Sequence, residues 1–155
     1  LYSYAGQPWK TQYWVRQIME RLYNSTEDGF PGDEDKGGMS SWYVLSALGL
    51  YAVTPGTNQY VIGSPVFQKA TITMENGNKF VIEAKDNSKE NVYIQSGVLN
   101  GENLTKNYIT YDDMNKGGKL TFQMGATPNK NRNIKKDAAP YSVSNEMRRH
   151  AHRRR

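Results

Sequence analysis

At residues Gly29–Tyr51 the chain has the sequence GFPGDEDKGGMSSWYVLSALGLY, in which a glycine-rich loop, three consecutive carboxylates and an apolar run follow one another. The run from Met39 to Leu50 is apolar or small at almost every position, which predicts a helix buried among other helices. Gly49 is well placed to end that helix. The stretch therefore predicts a negatively charged loop that leads directly into a buried helix.

The segment before this loop predicts another helix. Its sequence is QPWKTQYWVRQIMERLY, with Pro8 at a first helical position and no further glycine or proline before Gly29. Apolar side chains that recur at steps of three and four residues predict one apolar face; they are Tyr13, Trp14, Ile18 and Leu22. The polar side chains expected mostly on other faces are Lys10, Arg16, Gln17 and Arg21.

Beyond residue 53 the pattern changes to short β-branched or aromatic segments separated by turn residues. Their regular spacing, with no helical pattern between them, predicts an antiparallel, sandwich-like β region. Asn76-Gly77 predicts a hairpin with a type I′ turn, and residues 115–119 predict another turn. The residues expected on inward faces are Ile72, Phe80, Ile82, Val92, Ile94, Leu120 and Phe122.

The whole chain is thus predicted to be an α+β protein with three parts. Residues 1–53 form helices, residues 54–129 form the antiparallel β region, and residues 130–155 form a poorly ordered basic tail of the kind that expression vectors add. Because the chain opens on Leu1, with no initiator methionine and no signal peptide, we expect it to be a piece of a longer protein.

Composition and charge exclude several classes of protein. The chain has no cysteine, which excludes disulfides and thiolate metal sites, and it has no long uncharged apolar run that would predict a membrane span. Its net charge is +5, but the last ten residues alone carry five arginines and one glutamate. Since the remainder is nearly neutral, we expect no nucleic-acid partner. His150 and His152 lie in the tail, so the folded part cannot build a Ser-His-Asp triad.

The acidic loop suits one kind of chemistry better than others. Side chains two apart in an extended segment point the same way, so Asp33 and Asp35 are expected to converge while Glu34 faces the opposite side. The glycines that allow sharp turns around them are Gly32, Gly37 and Gly38. Two ionised carboxylates suit a general base or a cation ligand, and they suit a general acid poorly. A solvated loop without a chemical role is the alternative.

Residues 1–23, residues 29–65 and the β region together closely resemble the C-terminal end of glycoside hydrolase family 92, the calcium-dependent inverting α-mannosidases. The resemblance extends from Leu1 to about Asn129. Its core is Gly32-Asp33-Glu34-Asp35 followed by Gly37, Met39, Ser40 and Trp42. The resemblance implies that the two helices are the last ones of an (α/α)6 catalytic barrel and that a β-rich segment follows them.

The same resemblance implies roles for the loop. Asp35 is expected to be the general base, with Asp33 as its partner or substitute, while Glu34 supplies a supporting hydrogen bond and Gly32 supports the turn. The family's general acid is a glutamate in a segment that would precede Leu1. Calcium is the implied cofactor, and its ligands are expected mostly outside this chain.

The function implied is exo-hydrolysis of terminal mannose, most often α-1,2-linked, from mannose-containing glycans such as N-glycans. The implied partner is the remainder of the catalytic domain, the location is secreted, periplasmic or cell-surface, and the isolated chain should be inactive. Two rival interpretations concern the β region, which could be a non-catalytic carbohydrate-binding module or a brace for the barrel. Exposed aromatic side chains on one sheet face would favour the module, and the candidates are Tyr93, Tyr108 and Tyr111.

Overall fold

The structure is a computed structural model in which residues 1–144 are described. Helices come first and strands follow, as the sequence predicts for an α+β chain. Within residues 1–144 the α-helices and strands are α1 Pro8–Leu22, α2 Gly38–Ala47, β1 Leu50–Tyr51, β2 Gln59–Ile62, β3 Lys69–Thr73, β4 Lys79–Lys85, β5 Tyr93–Leu99, β6 Glu102–Asn103, β7 Tyr108–Thr110, α3 Tyr111–Asn115 and β8 Gly118–Gly125, and single 3-10 turns lie at Asp35–Gly37 and Lys136–Ala138. None of these helices is long and apolar enough to cross a membrane.

The strands form two sheets, one with the order β1-β2-β7 and one with the order β3-β4-β8-β5-β6. Every pair is antiparallel except β4 with β8, which is parallel. The prediction of a wholly antiparallel region is therefore wrong at this pair. The connection between the two strands contains β5, β6, β7 and α3, which gives it the length that a parallel crossover needs.

One hydrophobic core lies between the two sheets. Its buried side chains come from the smaller sheet, through Leu50, Ile62 and Ile109, and from strands β4, β5 and β8 of the larger one. The predicted inward-facing residues are confirmed, since all are buried except Ile72, which is partly buried and packs against the cluster. This shared core matches the sandwich-like arrangement expected from the alternating pattern.

The β3–β4 hairpin turns where the sequence predicts it, but with a different turn type. Met74 and Asn78 close a three-residue loop, and the Gly77 N–H donates to the Met74 carbonyl at 2.9 Å. Gly77 has a φ of 82°, whereas Asn76 does not have a positive φ. A type I′ turn needs positive φ at both central residues, so the loop uses a single left-handed glycine instead.

A short helix, α3, lies within the β region, where the sequence shows no helical pattern and predicts strands and turns. Thr110 caps it, because its hydroxyl accepts from the Asp113 N–H while the Asp113 carboxylate accepts from the Thr110 N–H at 2.8 Å. The turn predicted at residues 115–119 is confirmed, with Gly117 at a φ of 79°. The Thr110–Asp113 spacing is the local signal that distinguishes this helix from a strand.

Residues 130–144 belong to the folded part, so the expectation that order fades from residue 130 is wrong for them. Ala138 is buried, and its carbonyl accepts from the Asn107 N–H at 2.9 Å. The Asn133 side chain donates to two backbone carbonyls, those of Leu104 and Lys106. This segment has the polar composition of a loop because asparagine amides satisfy the backbone around it. The basic tail from residue 145, with its histidines, lies outside the described residues.

Arg132 is an unusual member of this segment. It is only 9% exposed, and neither terminal nitrogen of its guanidinium has a hydrogen-bond partner within residues 1–144. Burial lowers the pKa of Arg132 to about 10. Burying a cation without a hydrogen-bond partner is unfavourable, so we expect Arg132 to lower the stability of the folded chain by itself.

Helix α1 begins at Pro8 as predicted, but it packs on the β region with an unexpected face. The buried residues of α1 include Gln12 and Met19, whereas Trp14 is 46% exposed. The Gln12 side-chain oxygen accepts from the buried Ile94 N–H at 3.0 Å. The predicted apolar face is thus not the one that contacts the β region, because a backbone donor in β5 recruits a polar side chain instead.

Arg16, expected on a polar outer face, connects α1 to two segments of the β region. Its guanidinium donates to the Pro65 carbonyl, to the Asn87 side-chain oxygen at 3.0 Å and to the Ser88 carbonyl at 2.8 Å. Burial lowers the pKa of Arg16, and the nearby Glu20 opposes that change. We call Gln12 and Arg16 the polar clasp between the helices and the β region.

Helix α2 ends as predicted, with Gly49 at a φ of 85°, but most of its surface is open in this chain. Ser46 and Ala47 are buried, while Tyr43 is exposed and Val44 is 58% exposed. The prediction of a helix buried on all sides is therefore wrong for the chain by itself. Helix α2 therefore has more apolar surface than the rest of residues 1–144 buries.

Candidate functional site

The acidic residues lie in a loop of residues 23–37 that joins α1 to α2. Its first half is closed on itself, since the Asn24 N–H donates to the Gly29 carbonyl at 3.1 Å. Gly29 is buried, and a Cβ atom there would overlap the Asn24 carbonyl. Glycine is therefore required at this position, and the tight closure delivers the chain to Phe30 and the carboxylates that follow.

Four aromatic side chains pack together where this loop meets the helices. We call them the aromatic cluster, and they are Tyr23, Phe30, Trp42 and Tyr43. The Tyr23 ring lies 5.9 Å from that of Phe30, 5.6 Å from that of Trp42 and 5.0 Å from that of Tyr43. Burial raises the pKa of the Tyr23 hydroxyl, and the neighbouring Glu34 and Tyr51 raise it further. The cluster joins the end of α1, the loop and α2 into one unit.

The two aspartates predicted to act in catalysis, Asp33 and Asp35, are both exposed, and Glu34 between them is half-buried. Glu34 has a φ of −77° and a ψ of 16°, which is a turn conformation and not an extended one. The alternation used to predict that the aspartates converge therefore does not apply here. A tight turn at Asp35–Gly37 follows and leads into α2.

Only one of the three glycines around the carboxylates uses the left-handed region. Gly37 has a φ of 80°, and Lys36 before it has a φ of 53°. Gly38 is helical, with a φ of −63°. A Cβ atom at Gly32 would make just an ordinary contact with the Met39 sulfur at 3.8 Å. The role of Gly32 in supporting the turn therefore stays a prediction.

Glu34 makes the hydrogen bonds that secure the loop. Its two carboxylate oxygens accept from the Ser40 N–H at 3.0 and 3.2 Å, and one of them also accepts from the Ser40 hydroxyl. The N-cap residue of α2, Gly37, has no side chain that could do this. Ser40 belongs to the core of the family resemblance, but nothing in the spacing of the sequence identifies it as the hydrogen-bond partner of Glu34.

The described part of the chain does not carry a side-chain metal site. Within residues 1–144, no three or more His, Asp or Glu side chains come together in a way that could hold an ion. The exposed carboxylates of Asp33 and Asp35 are chemically suited to calcium, but two carboxylates fall short of the six to eight oxygens that this ion takes. These residues alone do not fit a complete calcium site.

The tyrosines that would favour a carbohydrate-binding module do not share a face. Tyr93 lies in β5 of the larger sheet, Tyr108 in β7 of the smaller one, and Tyr111 in α3. Tyr93 and Tyr108 are partly buried. The side chains therefore form no single exposed aromatic platform on either sheet.

The site thus consists of an exposed carboxylate loop at the start of a helix, and the polar clasp holds the β region to the helices. Comparison with known proteins shows which class of protein has this arrangement. Residues 1–126 match the model of the glycosyl hydrolase family 92 catalytic domain. The class is therefore that of the glycoside hydrolases. The chain belongs to glycosyl hydrolase family 92.

The individual proteins to which this chain is similar are described as mannosidases or glycosidases. The chain is 48% identical to the inverting mannosidase BT2199 from Bacteroides thetaiotaomicron, with a TM-score of 0.87 over 92% of this chain. It is 36% identical to the α-mannosidase BT3965 of that organism in complex with mannoimidazole, with a TM-score of 0.87 over 99% of this chain. An uncharacterised secreted glycosidase of Arthroderma benhamiae is 34% identical over 128 residues, which is 81% of this chain.

These proteins are much longer than the chain. It covers 19% of BT2199, 22% of BT3965 and 16% of the fungal glycosidase. The residues described above therefore correspond to about a fifth of such an enzyme, and this fifth contains the acidic loop.

Proposed function

We propose that this chain is the C-terminal part of an exo-acting α-mannosidase that hydrolyses terminal α-1,2-linked mannose with inversion. The observation that carries the proposal is the acidic loop, where Asp33 and Asp35 are exposed in the stretch that matches the family. Support comes from two similar structures described as an inverting mannosidase and an α-mannosidase. The (α/α)6 barrel belongs to the same proposal, with α1 and α2 as its last helices.

Inverting hydrolysis needs two carboxyl groups on opposite sides of the sugar, about 6.5–9.5 Å apart, with room for a water molecule beside one of them. Asp35 is the proposed base. It takes a proton from this water as the water oxygen attacks the anomeric carbon and the bond to the leaving oxygen breaks. The proposed acid, a glutamate in the remainder of the catalytic domain, protonates that leaving oxygen. Asp33 shares the water with Asp35 or replaces it.

Calcium is part of the proposal through the family resemblance, with ligands mostly in the remainder of the catalytic domain. When bound, it would grip the vicinal hydroxyls of mannose and favour a distorted ring. The proposed substrates are mannose-containing glycans, including N-glycans. We place the protein outside the cytoplasm, at the cell surface, in the periplasm or secreted, in keeping with a fungal relative described as secreted.

The β region acts as a brace in this proposal. The polar clasp attaches α1 to strand β5 and to two loops of the β region through Gln12 and Arg16. The acidic loop begins at Tyr23, where α1 ends. The β region therefore holds the helix from which this loop starts. Bracing accounts for these contacts without a sugar site on the sheets.

The experiment is to follow the anomeric form of the mannose that the complete enzyme first releases from α-1,2-mannobiose, by proton NMR. We expect β-mannose to appear first, with calcium present, and the release to slow when calcium is chelated. Release of α-mannose first would contradict inversion. Faster hydrolysis of α-1,3- or α-1,6-linked disaccharides would contradict the α-1,2 preference.

A further inference from the structure

We infer that Glu34 and Ser40 form a positioning pair that holds the acidic loop in the conformation needed for catalysis. The inference rests on the proposed function, since it takes Asp35 as the general base. Its observation is the set of hydrogen bonds in which the Glu34 carboxylate accepts from both the N–H and the hydroxyl of Ser40. Neither residue needs to touch the substrate for this purpose.

The start of α2 explains why the bond forms. A helix leaves its first N–H groups without partners inside the helix, and the N-cap side chain usually accepts from one of them. Here the N-cap is Gly37, so the N–H of Ser40, the third residue of α2, depends on another acceptor. Glu34 supplies it from six residues earlier, and its negative charge is favourable at a helix N-terminus.

Near the aspartates, two backbone hydrogen bonds close the turn, from the Gly37 N–H to the Glu34 carbonyl and from the Gly38 N–H to the Asp35 carbonyl. Lys36 and Gly37 are consecutive left-handed residues, and Lys36 is there despite having a side chain. Within residues 1–144, the side chains of Asp33 and Asp35 make no hydrogen bond and no ion pair. The bonds from Ser40 to Glu34 are the side-chain tie between the residue that separates the two aspartates and helix α2.

The position of the base follows from that tie. Glu34 lies covalently between the two aspartates, so a fixed Glu34 limits where both carboxylates can reach. A displacement of about 1 Å at a reacting group costs on the order of 100-fold in rate. The pair should therefore act on kcat through Asp35 and should leave KM nearly unchanged, which is the signature of a positioning role.

The test uses the complete enzyme and an activated aryl mannoside, with kcat and KM measured separately. Glu34→Ala should lower kcat about 10- to 100-fold with KM within about twofold. Ser40→Ala, which removes the hydroxyl bonds to Glu34 and to the Gly37 carbonyl but keeps the N–H bond to Glu34, should lower kcat about 3- to 10-fold. Glu34→Gln keeps an acceptor oxygen and should recover most of the loss. The double variant should be no slower than Glu34→Ala, because both changes break one interaction.

Ser41→Ala is the matched control. Ser41 lies in the same turn, and its hydroxyl donates to the Gly37 carbonyl instead of to Glu34. Its kcat should equal that of the wild type. An equal loss in Ser41→Ala and Ser40→Ala would overturn the inference, since it would reflect a loosened helix start. A rise in KM with unchanged kcat in the Glu34 and Ser40 variants would overturn it as well.

The outcomes separate this inference from the proposed function. If Asp35→Asn is inactive while Ser40→Ala and Glu34→Ala keep the wild-type kcat, the positioning pair is wrong and the base assignment stands. If Asp35→Asn keeps the wild-type kcat, the base assignment in the proposed function fails, and the premise of this inference fails with it. Thermal unfolding of each variant shows whether it folds, and Ser40→Ala, which keeps the carboxylate and its backbone bond, decides the question if Glu34→Ala does not.

Discussion

The helical segment, residues 1–53, and the β region together with the segment packed on it, residues 54–144, differ in how much of their apolar surface is buried. Phe122 in the β region has 0% of its surface exposed, and it lies in a core to which both sheets contribute. In the helical segment, Trp14 and Val44 are about half exposed, at 46% and 58%. Residues 54–144 also expose single apolar side chains such as Phe67, but they supply nearly all of the shared core, whereas the part that carries the acidic loop contributes little to that core.

The two regions also meet in an unusual way. The contacts between α1 and the β region use polar groups, the clasp formed by Gln12 and Arg16, and leave the aromatic side of α1 outward. Similar enzymes are about five times longer, since the chain covers 19% of BT2199. We propose that the remainder of the catalytic domain covers this aromatic side, and that catalysis therefore depends on contacts that the chain alone does not make.

The largest effect is expected for the isolated chain. Purified residues 1–155 should release no mannose from α-1,2-mannobiose, with calcium present or chelated. Inversion requires an acid across the sugar from the base, and the proposed acid belongs to the remainder of the domain. Calcium-dependent release by the isolated chain would show that the helical segment is complete by itself, and it would remove the contrast between the two regions.

The next effect concerns stability. In the isolated chain, Phe122→Ala should lower the free energy of unfolding by about 3–5 kcal/mol, the usual cost of emptying a buried aromatic site. Val44→Ala on α2 should change it by less than about 0.5 kcal/mol, because the side chain is mostly exposed. Urea unfolding measures both. The same Val44 change should cost more in the complete enzyme, and equal costs in the two proteins would contradict the idea that α2 is covered there.

A smaller effect is expected where the regions join. Arg16→Met removes three hydrogen bonds to the β region and should lower the free energy of unfolding by about 1–3 kcal/mol, since it leaves buried acceptors unpaired. Arg21→Met, on the exposed last turn of α1, is the matched control and should have almost no effect. If both variants unfold alike, the clasp does not hold the regions together.

The smallest effect is a dependence of stability on pH in the β region. Lys119 lies 2.6 Å from the Glu83 carboxylate and holds the pKa of Glu83 below its usual value. A lowered pKa in the folded state means that the contribution is full above the unfolded pKa, about 4.3, and is lost as pH falls through the folded value. Glu83→Gln should therefore be slightly less stable than the wild type at pH 7, with the difference vanishing in acid. A difference that grows in acid would contradict this sign, and Glu102→Gln serves as an exposed control.

Local chemistry predicted much of the fold. Pro8 and Gly49 mark a helix start and a helix end because both act through their own backbone geometry. Phe80 and Ile82 were predicted to face inward because a strand alternates its faces with a period of two. These predictions depend on neighbouring residues only, which explains why they agree with the structure.

The predictions that failed depend on contacts between distant residues. The parallel pairing of β4 with β8 depends on which strands become neighbours, which no local pattern specifies. The burial of Gln12 depends on a donor 82 residues away in β5. Glu34 was predicted to face away from the aspartates in an extended loop, but the need of α2 for a cap produces a turn instead. The supporting hydrogen bond of Glu34 was expected, and its partner was not.

The most direct measurement of the central claim, that Asp35 is the general base, is kcat of the complete enzyme with Asp35→Asn on an activated aryl mannoside. This leaving group needs little help from an acid, so the rate reports mainly on the base. We expect kcat to fall by about two to four orders of magnitude, the usual loss when a general base is removed. Asp28→Asn, an exposed aspartate of the same loop, should keep the wild-type kcat. Wild-type turnover by Asp35→Asn would contradict the account.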